Sequence, residues 1–308
     1  MDEERSDTTT SRVIRLVAGD GARSADVEID LDAGGRVRQV GVGDDADRVE
    51  LLAIHPGPEV DWSSAWGSFP MAPWAGRIRN GRFSFLDDDV RLEANHGDAS
   101  GPGGGPIHPP VEIPPGPIGE QDRRRHSIHG TTFFRPWSVA SVATSRCELH
   151  CRLDGALGWP YPGVARQTVE VTTSTVTFTL EVRPDPGSVF PASIGWHPWF
   201  VKPDHLEWTP LAMYEQDSIG LPTGDLVVPP DGPWDDCFVV VDPVTLRYDR
   251  PLAPSVTITS DCDHLVVYDR PHHATCVEPQ SGPPDAPTLR PRIVTSGHPL
   301  RHTMQWSW

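Results

Sequence analysis

Residues 166–182, RQTVEVTTSTVTFTLEV, carry the reading that decides the fold. Val176, Phe178, Leu180 and Val182 fall on one side of a period of two, and Thr175, Thr177, Thr179 and Glu181 on the other. Alternation of this kind is a strand with one buried face, because successive side chains on an extended backbone point to opposite sides. Residues 166–172 form a second β-branched run, and Thr173-Ser174 is the right length for a tight connection between the two. The stretch therefore predicts an antiparallel hairpin.

Working outward, the same pattern recurs along the chain. Strands are expected at 12–18, 25–31, 36–42, 139–142, 149–153, 238–241, 256–260, 265–268 and 303–308. No amphipathic helix of three turns is found. The 34 prolines and 28 glycines are spread throughout, as the turns between many short strands require. These features predict an all-β chain folded as one large antiparallel β-sandwich, a single domain over residues 11–308. Residues 1–10 are polar and charged and are expected to be a disordered tail.

One segment breaks the rhythm. Residues 95–125 are rich in Gly and Pro and lack periodicity, which suggests a lid, a binding loop or a disordered insert. His96, His108 and His126 lie in or beside it, but their spacing matches no metal signature. No metal and no cofactor is expected.

Composition excludes several classes. Against 43 Asp and Glu stand only 26 Lys and Arg, a formal charge of −17, so nucleic acid and anionic membrane surfaces are poor partners. No apolar run approaches the length of a membrane span. The acidic start of the chain is not a secretory signal, and five cysteines form no metal-type CxxC pair. Reduced thiols in a cytoplasmic protein are expected, with a neutral, hydroxyl-rich small molecule as partner and a monomer or homodimer as the assembly.

Four stretches carry chemistry, with a carboxylate pair between two of them. In PASIGWHPWF (191–200) His197 stands between Trp196 and Trp199 and before Pro198, which predicts an imidazole held at a strand end on an aromatic ledge. Taken alone it reads more readily as a partly buried structural histidine at a strand terminus. In TCVEPQSGPPDA (275–286) Glu278 similarly ends a strand-like run and is followed by Pro279. Arg77 lies between a Gly turn and a strand start, where its guanidinium fork can reach hydroxyls. The stretch from Ser127 to Gly130 contains His129, and Asp235-Asp236 is a carboxylate pair beside an aromatic strand.

Taken together, IHG at 128–130, GWHPWF at 195–200, DDCF at 235–238 and CVEPQSGPPDA at 276–286 resemble the aldose 1-epimerase (galactose mutarotase) family, with GRIRNGRF at 76–83 a weaker match. The resemblance runs from about residue 12 onward. It implies the family's large β-sandwich, the galactose mutarotase-like supersandwich, and interconversion of the anomers of a free aldohexose without a cofactor. It further implies His197 as the acid that protonates the ring oxygen and Glu278 as the base that takes the anomeric hydroxyl proton. His129, Asp236, Arg77 and Trp199 would bind the sugar. Where the family often has Asn-Arg-Ile, this chain has Gly76-Arg77-Ile78, so one expected side-chain contact is missing. Three other readings stay open: a hexose-6-phosphate epimerase using Arg77, Arg79, Arg82 and residues 123–125, a non-catalytic sugar-binding protein, and a glycosidase using Asp236 and Glu278.

Overall fold

The computed structural model describes residues 12–20, 24–44, 47–54, 65–95, 126–239, 243–249 and 254–308. The expected tail and all but the first residue of the expected insert lie outside these residues, as do His96 and His108.

The hairpin forms as predicted. Gly163–Val171 pairs with Thr175–Pro184 in unbroken register from Gly163↔Pro184 to Val171↔Val176. Thr173 and Ser174 make the turn. It is closed by the Thr172 and Thr175 hydroxyls at 2.8 Å and by the Thr175 N–H donating to Thr172 Oγ1 at 3.0 Å. Val176, Phe178, Leu180 and Val182 are all buried, each contributing roughly 1.5–3 kcal/mol through removal of apolar surface from water.

The hairpin lies within an eight-stranded sheet that runs Ser138–Val142, Arg146–Leu153, Gly163–Val171, Thr175–Pro184, Leu300–Ser307, Val256–Ser260, Val244–Arg247 and His205–Glu207. Opposite it is an eleven-stranded sheet. Its path is Val13–Ala18, Ala25–Asp30, Arg36–Val42, Ser68–Met71, Gly195–Val201, Ala274–Gln280, His264–Tyr268, Asp235–Val239, Ala212–Gln216 and Pro222–Val227, with Val49–Glu50 paired to Arg36–Val42. All strand pairings within both sheets are antiparallel. Among the described residues helix is limited to one turn, Ala286–Leu289, and short 3-10 segments. The all-β sandwich expected from the sequence is thus the fold.

The core lies between the sheets. Trp306 of the smaller sheet meets Phe178 at 4.8 Å and, across the interface, Phe200 of the larger sheet at 4.6 Å. Trp196, Phe200, Phe238, Leu265, Val267 and Val277 join this core. A separate, smaller apolar cluster, which includes Phe69, Met71, Phe133, Trp199, Ala274 and Cys276, forms on the other face of the larger sheet. The period of two makes both possible: along Gly195–Val201 the even residues enter the sandwich and the odd ones face outward.

Two expectations need correction. His197 and Glu278 do not end strands; they sit in the middle of Gly195–Val201 and Ala274–Gln280. Proline can continue a strand where its missing N–H is not needed. Here both prolines fall in a gap: the ladder pairs Gly195↔Gln280 and resumes at Trp199↔Cys276, with no pairing recorded across 196–198 and 277–279.

Asn95, the first residue of the expected insert, is structural. It is buried, its side chain accepts from the Ile128 N–H at 2.6 Å and donates to the Ile128 carbonyl at 3.0 Å, and its N–H donates to the His126 carbonyl at 3.3 Å. The two ends of the segment are therefore clamped together at Asn95 and His126. His126 is itself buried, with Nδ1 accepting from the Asn80 N–H at 3.0 Å.

Candidate active site

The outer face of the larger sheet carries the site. Continuing the register on either side of the gap brings His197 opposite Glu278, and their side chains meet with Nε2 3.3 Å from Oε1. Both are buried, at 7 % and 2 % exposure. Phe69 stacks on one side of the imidazole at 4.9 Å and Trp199 on the other at 5.1 Å. His129 meets it edge to face at 4.9 Å.

The packing sets the proton chemistry. Burial, with the positive charges of Arg36 and Arg77, lowers the His197 pKa to about 3. Burial, with the negative charge of Asp235, holds Glu278 well above the usual carboxylate range, against the opposing pull of Arg77 and of the Gln280 side chain. Both shifts favour one arrangement of the resting pair: a neutral imidazole beside a protonated carboxyl. Gln280 Nε2 donates to Glu278 Oε2 at 3.2 Å and so leaves Oε1 turned toward His197.

His129 reaches this centre from a separate element. The short strand Arg77–Ile78 pairs with Ser127–Ile128, and the chain then turns sharply. His129 has φ +61°, a left-handed conformation uncommon for a residue with a Cβ, and Gly130 follows at φ +79°. A Cβ on Gly130 would lie 2.0 Å from the Ala72 carbonyl oxygen, so only glycine allows the close approach that aims His129 at His197. The His129 N–H donates to the Gly76 carbonyl at 2.9 Å, which ties it to the Arg77 turn.

The aspartate pair separates by face. Phe238 lies in the sandwich core, and Asp236, two residues earlier, shares its side of the strand. Asp235 shares the outer face with Cys237 and pairs in register with Tyr268, which pairs with Cys276. Its charge is felt by Glu278, Tyr268 and Cys276, each already shifted upward by burial. The outer-face position expected of Asp236 is thus occupied by Asp235. Asp236, half-buried, is raised by desolvation and accepts from the Asp235 N–H at 3.0 Å.

Trp199 also differs from expectation. Its ring is nearly parallel to His197 and to His273, at interplanar angles of 14° and 11°, so both faces are covered. It braces the imidazole and has no free face on which a sugar can stack. Two further neighbours were not foreseen. Arg36 is buried over Phe69 and Trp66, with its guanidinium 4.5 Å from each ring, and donates to the Trp66 carbonyl at 2.7 Å. Gln280 was quoted within its motif without a role, although its position two residues after Glu278 puts it on the same strand face.

Among the described residues, Arg77 Nε, His197 Nδ1, Trp199 Nε1 and Gln280 Oε1 are buried polar atoms without a hydrogen-bond partner. Such atoms carry a cost that a polar ligand can relieve. A buried acid–base pair surrounded by an arginine, a second imidazole and a carboxylate suits reversible proton transfer on a hydroxylated molecule.

Comparison with known proteins agrees in family and in fold. No curated protein matches the sequence. The fold closely follows a GalM/aldose epimerase homologue from C. elegans (TM-score 0.76, 14 % identity, covering 97 % of this chain and 98 % of that one). It also follows a galactose mutarotase-like protein from Clostridium acetobutylicum (0.72, 16 %, 97 % and 95 %) and galactose 1-epimerase from Lactobacillus acidophilus NCFM (0.67, 14 %, 97 % and 98 %). The family model described as Aldose 1-epimerase matches residues 117–306, more than half of the sequence, and the chain belongs to that family.

Proposed function

We propose that the protein is an isomerase that interconverts the α and β anomers of a free aldohexose. The observation that carries this reading is the direct contact of a buried imidazole and a buried carboxyl, 3.3 Å apart, on an otherwise largely apolar sheet face. A binding module has no use for such a pair, since burying two titratable groups is costly.

Mutarotation opens a hemiacetal. A proton leaves the anomeric hydroxyl while another arrives at the ring oxygen. Glu278 as carboxylate takes the first, and His197 as imidazolium gives the second. Rotation about C1–C2 presents the other carbonyl face, and closure runs the same transfers backward. Each positioned acid or base contributes ~10²–10⁴-fold. Arg77, His129 and Asp235 surround the pair and bind sugar hydroxyls.

The downward shift at His197 and the upward shift at Glu278 both favour the neutral pair, the state that ring opening produces and closure consumes. When the pair relaxes to that state between turnovers, the direct contact lets the proton pass from carboxyl to imidazole before the next opening. The Arg77 charge favours the carboxylate formed in that step.

A free sugar is favoured over a phosphorylated one. Arg79 is held by Asp217 at 2.7 Å and approached by Asp285 at 3.8 Å, so it is not available to a phosphate, and residues 123–125 lie outside the described residues. The glycosidase reading, which needs two carboxyls, leaves without a role the imidazole of His197 that lies 3.3 Å from Glu278. The test is anomer exchange of free aldohexoses and hexose 6-phosphates, followed by NMR. Acceleration of free hexose by the wild type, absent in Glu278→Gln, supports the proposal; no acceleration of any sugar by well-folded protein refutes it.

A further inference from the structure

The acid–base pair has a third neighbour that proton transfer does not use. Cys276 is fully buried beside Trp199 on the same outer face as Glu278, two residues along the strand. A His197 ring nitrogen, the Cys276 sulfur and a Glu278 carboxylate oxygen all lie within 4.8 Å of one another.

This is the donor set of a zinc site, with one atom each from imidazole, thiol and carboxyl. The spacing fits as well. Nitrogen and oxygen ligands at ~2.0–2.1 Å from a tetrahedral ion stand roughly 3.3–3.4 Å apart. His197 Nε2 and Glu278 Oε1 are 3.3 Å apart already. A thiolate at ~2.3 Å from the ion stands roughly 3.5 Å from either partner, so the sulfur needs to close by little more than an ångström at most. An outer contact is in place too: Gln280 Nε2 holds Glu278 Oε2 at 3.2 Å, the kind of hydrogen bond that orients a ligating carboxylate. His197, nine-tenths buried, retains a slight exposure through which an ion can enter.

We infer that His197, Cys276 and Glu278 form an inhibitory zinc site in which the metal replaces the exchangeable protons of the pair. The ion bonds to imidazole nitrogen, thiolate sulfur and carboxylate oxygen. The thiol and carboxyl protons pass to solvent, nothing is oxidised, and a water completes the fourth position. Because the metal engages both proton-transfer groups, it excludes productive sugar binding. That last consequence rests on the epimerase reading; the binding itself does not.

A second cluster provides a control. Asp261, Cys262 and His302 are also close enough to share an ion. There Asp261 Oδ1 already accepts from the Thr303 N–H at 2.7 Å and contacts His302 Nδ1 at 3.0 Å, and Asp261 and His302 are not enclosed.

The experiment is titration of the full chain with Zn²⁺ by calorimetry, paired with Co²⁺ as a spectroscopic probe. One equivalent should bind, and Co²⁺ should give a thiolate charge-transfer band in the near ultraviolet. Cys276→Ser should abolish the band and weaken Zn²⁺ by at least about 10²-fold, beyond the ~10–100-fold typical of outer-contact losses. His197→Asn should weaken binding by a similar factor while the sulfur band persists, and Cys262→Ser should change neither. Thermal unfolding of each variant checks folding; if Cys276→Ser is unfolded, Cys276→Ala and His197→Asn carry the test. Absence of stoichiometric binding, a band that survives loss of Cys276, or a band lost with Cys262 overturns the proposal. Where sugar turnover is measurable, Zn²⁺ should inhibit it competitively and a chelator should restore it. Inert protein that still binds Zn²⁺ through Cys276 would refute the epimerase reading alone.

Discussion

The hairpin Gly163–Pro184 and the strand pair Gly195–Val201/Ala274–Gln280 are both deep in the fold, yet they obey different rules. The hairpin keeps its ladder intact and alternates buried and half-exposed residues throughout Thr175–Pro184. In the strand pair all but Val201 are buried, each strand contains a proline, and the ladder is interrupted where the prolines fall. Proline is rare in central strands because it cannot donate to the ladder. One region is covered on a single face and serves stability. The other is covered on both, and its outer face carries a histidine, a glutamate and unpartnered polar atoms. Local rules fail at the candidate site, and the failure can be located to within three residues.

That contrast can be tested from both sides. The largest effect is expected in the regular region: Phe178→Ala should cost about 3–5 kcal/mol of stability, as loss of a buried aromatic ring does. Turnover per folded molecule should not change; a fall in turnover would mean that the two regions are coupled. Next, Glu278→Gln should lower turnover by roughly 10² or more while leaving sugar binding and thermal unfolding intact or improved. His197→Asn should do the same, and the double variant should lose far less than the product, because both act on one proton exchange. Anomer exchange and unfolding measured on the same samples separate these outcomes.

Asp235→Asn should cut turnover about tenfold, the scale of one charge-assisted hydrogen bond to a hydroxyl. Asp236→Asn should have much less effect, and the reverse ranking would show that the face assignment is wrong. Thr172→Ala should cost ~1 kcal/mol by releasing the hairpin turn.

The pH dependence of stability tests the pair itself. The lowered His197 pKa means stability fully present above 6.5 and lost as pH falls toward about 3. The raised Glu278 pKa means stability present below 4.5 and lost as pH rises above it. Hence Glu278→Gln should gain on the wild type as pH rises, and His197→Asn should be relatively favoured as pH falls. Flat differences across pH would show that the pair is not desolvated.

The sequence exposed the sandwich well, because period-two runs such as 175–182 report one buried face directly. It also singled out His197 and Glu278, which the fold brings into contact, through motifs that keep order across the chain. It misled at Pro198 and Pro279, since a proline reads as an exit unless the ladder around it is known to be open. The Asp235/Asp236 choice was within reach: counting back two from Phe238, the large apolar residue that opens the expected strand 238–241, puts Asp236 on the same face. Arg36 was not within reach, because its burial depends on Phe69 and Trp66, which lie far away in sequence. Nor was the covering of Trp199, which needs His273 on its second face.

The clamp between Asn95 and His126 has a consequence for how the protein can vary. Asn95 and His126 are fastened to each other within the described fold, so these gateposts hold the strand Ser127–Ile128 and the turn at His129 in place by their own contacts. With both ends already fixed, a change of length between them is cheap to close, since the entropy of closing a loop grows only logarithmically, by about 0.6 kcal/mol for each doubling.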